Sequence, residues 1–214
     1  VPSDREDDRS NIRGVNRLFG SSALISRFLR DWIRPKQSLR VLDLATGSGD
    51  IPRLIVDHGR RASAKVEMAA VDQQISTLEI ARRLSADYPE ITYHQGNILE
   101  WCNDDAFDIV LCTLALHHFS EEDAVCLLRQ CRRLSRGYVL VSDLRRGFLA
   151  TIGTYLLTAI IFRALMTKAD GRASARRAFS FKELRSLAER AGWKNFRQRK
   201  FRFARQAIWM AAEH

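Results

Sequence analysis

The stretch RVLDLATGSGDIPRLI, from Arg40 to Ile55, puts an acidic residue inside an apolar run and follows it with a glycine turn. A carboxylate in a buried strand costs free energy unless something there uses it. That carboxylate is Asp43. Ala45, Thr46, Gly47, Ser48 and Gly49 carry the chain from it into a predicted helix with Pro52 in its first turn. Glycines at such a turn let backbone approach a ligand closely. A second acidic position, Asp72 in AAVDQQ, comes about 20–25 residues on, where a carboxylate can accept both hydroxyls of a bound ribose. The alternative for Asp72 is a helix cap ahead of Ser76.

Dinucleotides and S-adenosylmethionine both use this arrangement. The dinucleotide fingerprint wants a third glycine where this chain has Pro52, and Asp50 puts negative charge where a pyrophosphate would lie. Asp43 suits a cationic ligand. S-adenosylmethionine carries an ammonium and a sulfonium and no phosphate, so the charges favour it.

A third group with chemical potential follows the apolar run FDIVLCTLAL, where His117 and His118 precede Ser120. A histidine titrates near neutrality and can take a hydroxyl proton. The alternative is that either ring packs, or bonds backbone, ahead of the helix that Ser120 caps. Adjacent histidines point apart and no carboxylate stands at ligand spacing, so no metal site is expected. Cys102, Cys112, Cys126 and Cys131 show neither a CxxC pair nor metal spacing, and read as buried free thiols in a reducing compartment.

These residues need strand ends and helix starts to hold them. Strands are predicted at Arg40–Ala45, Val66–Asp72, Ile91–Gln95, Phe107–Leu114 and Tyr138–Asp143. Helices are predicted near Asp50–Gly59, Ser76–Asp87 and Ser120–Leu134. Ser76 with Glu79, and Ser180 with Glu183, have capping-box spacing. Asn195–Phe203 and Arg205–Ala212 read as an antiparallel hairpin. The expected fold is α/β: a Rossmann-like, seven-stranded, mostly parallel sheet with a C-terminal antiparallel hairpin and helices on both faces.

VLDLATGSGD resembles the first motif of the class I S-adenosylmethionine-dependent methyltransferases, and VDQQ resembles their second-strand acidic motif. QGNILEW, FDIVLCTLALHHF and GYVLVSDL are similar to the third, fourth and fifth strand motifs. Asn97 stands where the third-strand motif usually has Asp, and its side-chain oxygen can still accept from the adenine amine. The resemblance implies that Asp43, Ala45, Thr46, Gly47, Ser48 and Gly49 border the methionine half. Asp72 and Gln73 would hold ribose and adenine, Asn97 and Ile98 would flank the base, and Leu114 would lie under the methionine portion. LHHFSEED resembles the segment carrying the catalytic histidine of small-molecule O-methyltransferases, which makes His117 the candidate base. NIRGVNRLFG, SDLRR and ADGRASARRAFS are similar to small bacterial methyltransferases of natural-product type. The implied enzyme transfers a methyl from S-adenosyl-L-methionine to oxygen on a small lipophilic or phenolic acceptor and leaves S-adenosyl-L-homocysteine.

The 214 residues read as one methyltransferase domain, with residues 1–36 as a helical cap and residues 145–178 as a lid insertion. Phe148 to Phe162 is about 15 apolar or small residues, short of the roughly 18–20 that span a bilayer. No transmembrane segment is expected, the N-terminus is no secretory signal, and the location is cytoplasmic. The flank Asp143, Arg145, Arg146, Asp170, Arg176 and Arg177 either pairs internally or grips a polar acceptor group. From Arg136 onward there are 17 Lys+Arg against 5 Asp+Glu, and before it 18 against 20. Such a basic half keeps an RNA methyltransferase as a rival reading, and a membrane-surface enzyme as another. A dinucleotide-dependent oxidoreductase is the third. Oligomeric state is not legible.

Overall fold

The computed structural model describes residues 21–102, 106–146, 178–202 and 204–211. The predicted cap residues Val15, Leu18 and Phe19 and nearly all of the predicted lid, with Asp170, Arg176 and Arg177, lie outside the described residues. Compactness divides the chain into two units, residues 1–95 and 96–214.

The first unit runs α1 (Ser21–Trp32), β1 (Ser38–Leu44), α2 (Asp50–Arg61), β2 (Lys65–Asp72), α3 (Ile75–Leu84) and β3 (Ile91–Gln95). Helix α1 buries Leu24, Ile25, Phe28, Leu29 and Trp32, one stripe at helical spacing. Strand β1 is buried at every position from Val41 to Leu44, too apolar to face water on either side. It pairs with β2 in parallel from Ser38↔Lys65 to Leu44↔Val71. Strand β2 pairs with β3 from Met68↔Ile91 to Asp72↔Gln95. Leu42, Leu44, Ile55 and Leu78 are fully buried, each contributing about 1.5–3 kcal/mol of transfer free energy.

The second unit runs β4 (Phe107–Thr113), a 3₁₀ turn (Leu116–His118), α4 (Glu121–Leu134), β5 (Ser135–Leu144), α5 (Phe181–Arg190), β6 (Arg197–Phe201) and β7 (Arg205–Ala211). Strands β4 and β5 are parallel. Strand β7 runs antiparallel to β5, from Tyr138↔Ala211 to Leu144↔Arg205, and β6 runs antiparallel to β7. The seven strands are ordered β3-β2-β1-β4-β5-β7-β6. The expected mostly parallel sheet with a terminal hairpin is present.

Local chemistry sets the helix starts, and one expectation fails. Ser120 caps α4 through its hydroxyl, which accepts from the Asp123 backbone N–H. Ser180 and Glu183 form the predicted reciprocal box at α5. Ser76 caps nothing. The Asp72 carboxylate accepts from the Gln74 N–H at 3.0 Å, so α3 starts at Ile75 and Ser76 falls inside its first turn. Cysteines depart from expectation as well: Cys112 and Cys131 are buried, whereas Cys102 and Cys126 are exposed.

Candidate functional site

In the first unit, the chain leaves β1 through Ala45, which adopts φ 60, and then Gly47 and Gly49 at φ 56 and 75. Left-handed backbone at a non-glycine costs on the order of 1–3 kcal/mol and clusters where ligands bind. Gly49 forms the N-cap of α2, so the N-terminal end of that helix opens at the same loop. The predicted partnership between the two strand ends is present. The Gly47 N–H donates to Asp72 Oδ2 at 2.9 Å. A Cβ at Gly47 would meet nothing within 4 Å among the described residues.

Asp43 is 1% exposed, and among the described residues neither of its oxygens nor the Thr46 hydroxyl has a hydrogen-bond partner. Burial pushes its pKa up to about 7. The Thr46 hydroxyl, close but not aligned as a donor, pulls it down in part, and the Asp72 carboxylate raises it again. A buried acid without a partner among the described residues, one turn from the glycine loop, suits a ligand that brings positive charge. It does not suit a pyrophosphate. Asp50 does not add to that argument, because Arg53 Nη2 holds it at 2.6 Å and neutralises it.

Arg53 is a residue that the sequence reading missed. Its guanidinium, buried on α2, also donates to the Ser48 carbonyl at 2.9 Å and to Ser85 Oγ at 3.1 Å. Ser85 Oγ in turn lies 2.7 Å from the Tyr93 hydroxyl. Three elements thus brace the underside of the glycine turn. Only the i,i+3 spacing of Asp50 and Arg53 was visible in the sequence as a signal. Gln73 is exposed just past the end of β2, where its carbonyl accepts from Gln95 Nε2 at 3.4 Å.

The second unit carries the remaining predicted residues. Asn97 is exposed and turns its side-chain oxygen to the Leu99 N–H at 3.1 Å, while Ile98 is buried. Leu114 follows β4 at φ 56, the same left-handed conformation that Ala45 adopts after β1, and its N–H donates to the Ser142 carbonyl at 2.8 Å.

His117 is 5% exposed and is pinned by Asp143 at the end of β5. Its backbone N–H donates to Asp143 Oδ2 at 2.7 Å, and its ring Nδ1 lies 2.7 Å from Asp143 Oδ1. The Leu144 N–H donates to the same Oδ1 at 2.7 Å. A carboxylate opposite Nδ1 makes that nitrogen the donor and leaves the lone pair on Nε2. The His118 ring is exposed, with its centroid 4.1 Å from that of His117. The His117 ring is packed and bonded, as the second of the two alternatives expects, and the Asp143 bond fixes its orientation. Of the three described flank residues two are paired, while Arg145 keeps a buried Nε with no partner among the described residues. Asp143 holds His117, and Arg146 pairs with Glu183.

Among the described residues, no group of three or more His, Cys, Asp and Glu side chains is placed to hold a metal ion. Among the same residues, no helix is long and apolar enough to cross a membrane.

Residues 41–137 match the family described as Methyltransferase domain. The chain is 32% identical over 107 residues to a demethylmenaquinone methyltransferase of Thermotoga maritima, covering 49% of this chain and 43% of that protein. It is 33% identical over 81 residues to a 2-phytyl-1,4-naphtoquinone methyltransferase of Thermosynechococcus vestitus, covering 38% and 35% respectively. The chain thus spans under half the length of these curated relatives. Magnesium protoporphyrin IX methyltransferase from Synechocystis PCC 6803, solved with bound SAH, shares the fold at TM-score 0.62 and 16% identity, covering 94% of this chain and 84% of that one. Neither a dinucleotide enzyme nor an RNA-binding reading is favoured by these matches. The glycine turn that Asp43 and Asp72 flank lies inside residues 41–137, the segment that matches the family described as Methyltransferase domain.

Proposed function

We propose that this protein transfers a methyl group from S-adenosyl-L-methionine to an oxygen of a small lipophilic or phenolic acceptor. The observation that carries the reading is the His117–Asp143 pair, a buried, oriented histidine in a chain that also holds an acidic cradle for a cationic nucleoside. Asp43, Ala45, Thr46, Gly47, Ser48 and Gly49 would hold the methionine half, Asp72 and Gln73 the ribose and adenine, Asn97 and Ile98 the base, and Leu114 the methionine portion. When bound, the cofactor supplies an electrophilic methyl on a sulfonium. The chain's own part is orientation, worth roughly 7–11 kcal/mol in a near-attack geometry. It also holds a proton acceptor. Asp143 fixes the His117 ring so that Nε2 takes the acceptor's hydroxyl proton as the oxygen attacks.

A second reading, methylation at ring carbon of a quinone, is favoured by the names of the two curated relatives. The His117 base serves there too, removing the proton from a hydroquinone. One experiment separates them: incubation with labelled cofactor and a panel of phenols, hydroxy acids and quinones, with the site of the added methyl read by mass spectrometry and NMR. His117→Ala should lower turnover about 10²–10⁴-fold while leaving cofactor affinity within a few-fold. Undiminished turnover in that variant removes the base assignment. Absence of methyl transfer to every acceptor, with no binding of the cofactor, removes the function.

A further inference from the structure

The outer strand of the second unit carries charge that nothing above uses. The segment KNFRQRKFR, residues 194–202, holds five cations and no carboxylate. Lys194, Arg197, Arg199, Lys200 and Arg202 are all exposed, and none of them forms an ion pair among the described residues. The carboxylates of α5 are already spent, Glu183 on Arg146 and Glu189 on Arg185. Strand β6 stands last in the strand order and pairs on one side only, with β7. Register fixes where the charge lies. Lys200 pairs with Gln206, which pairs with Asp143, and on the next rung Phe201 pairs with Arg205, which pairs with Leu144. The cationic rim therefore ends level with Asp143, at the end of the sheet that holds the His117 pair, two strand spacings or about 10 Å across.

A charged edge strand deters pairing with a second sheet. Charges of either sign would serve that purpose, whereas a run of one sign builds a field that attracts an anionic partner. Single-stranded nucleic acid stacks its bases on aromatic faces along a groove. Here the rings lie under cations instead: the Lys200 ammonium is 4.9 Å from the centroid of Phe181, and the Arg199 guanidinium is 5.9 Å from that of Phe201. The run is also the rim of a sheet, with Arg197 and Arg199 on one face and Lys200 on the other. An anionic bilayer asks for nothing more than several cations on one rim within a Debye length of its headgroups, and clusters of four to eight meet that need.

We propose that the β6 rim docks on an anionic lipid bilayer, bringing the sheet end that carries His117 and Asp143 to the surface from which a lipophilic acceptor enters. The acceptor in this statement rests on the methyltransferase reading, but the docking is tested without turnover. The protein is sedimented with vesicles of phosphatidylcholine, and with vesicles of equal parts phosphatidylcholine and phosphatidylglycerol, at low and at high salt. The expected result is binding to the anionic vesicles alone, lost at high salt. The triple variant Arg197→Gln, Arg199→Gln, Lys200→Gln should bind at least about tenfold more weakly, since each cation near such a surface contributes roughly a fivefold factor. The pair Arg27→Gln, Arg34→Gln, exposed in the first unit, should bind as the parent does. If the triple variant does not fold, the three single variants carry the comparison, each with a loss of about fivefold. Equal binding to both kinds of vesicle, binding to neither, or binding that survives the substitutions overturns the proposal. So does tighter binding of a labelled single-stranded RNA that the triple variant loses, which would make the partner a nucleic acid. Vesicle binding without methyl transfer to any acceptor would leave the docking surface standing and remove the function. Methyl transfer without vesicle binding would do the reverse.

Discussion

Replacing Asp43 by asparagine should stabilise the protein while weakening cofactor binding. Asp43 is fully buried with both oxygens unpartnered among the described residues, and its pKa stands near 7 instead of 3.8. A rise of that size corresponds to about 4 kcal/mol between the two protonation states. A raised carboxyl pKa means that the folded state holds its proton where the unfolded chain has released one. Its contribution is therefore intact below pH 3.8, declines as pH rises toward 7, and is fully lost above that. Asparagine, which never ionises, does not lose it. The difference in unfolding free energy between Asp43→Asn and the parent should grow from under about 1 kcal/mol at pH 4 to about 4 kcal/mol at pH 8. Urea unfolding of both proteins without cofactor at four pH values between 4 and 8 measures it. Isothermal titration with S-adenosylhomocysteine and S-adenosylmethionine should show weaker binding in the variant, more so for the sulfonium. A stability difference that does not change with pH would refute the reasoning, because it would mean that Asp43 ionises in the fold as freely as in the unfolded chain. Unaltered cofactor affinity would separate the buried charge from the ligand.

Gly49→Ala should cost more than Gly47→Ala. Both positions have positive φ, but only the Cβ at Gly49 would run into the Tyr93 hydroxyl, and thermal melts should place Gly49→Ala about 1–3 kcal/mol below Gly47→Ala. Arg53→Met should loosen the glycine turn by freeing Ser48 and Asp50, read as a loss of cofactor affinity larger than the loss of stability. Ser180→Ala removes the capping box of α5 and should cost about 1 kcal/mol in denaturant unfolding, with acceptor and cofactor affinities unchanged.

How much of this was open to reading in the chain divides along a physical line. Near-continuous apolar runs such as RVLDLA and FDIVLC demand burial on both faces, and alternation with amphipathic stretches leaves a mostly parallel sheet as the solution. Strand β3 was predicted to the residue, because Ile91–Gln95 is bounded by a turn on each side. The capping box at Ser180 was legible because its bonds are local, within three residues. The identical spacing at Ser76 failed because another local group competed: the Asp72 carboxylate accepts from the Gln74 N–H and turns the chain before the serine is reached.

The same division holds at the site. The sequence by itself determined the residue types and their places on strand ends: Asp43, the Gly47–Gly49 turn, Asp72 and His117 all stand where spacing put them. Only tertiary structure decided what each one meets. Asp143 was a flank residue until β5 brought it to His117, Arg53 was a helix residue until Ser85 and Tyr93 came beneath the turn, and Arg205 was an ordinary strand residue until the hairpin folded it against Ser142. The reason is range. Periodicity and caps are set by neighbours a few residues apart, whereas the protonation of a buried carboxylate or the pairing of a buried guanidinium depends on which atoms lie within a few ångströms, brought from anywhere in the chain.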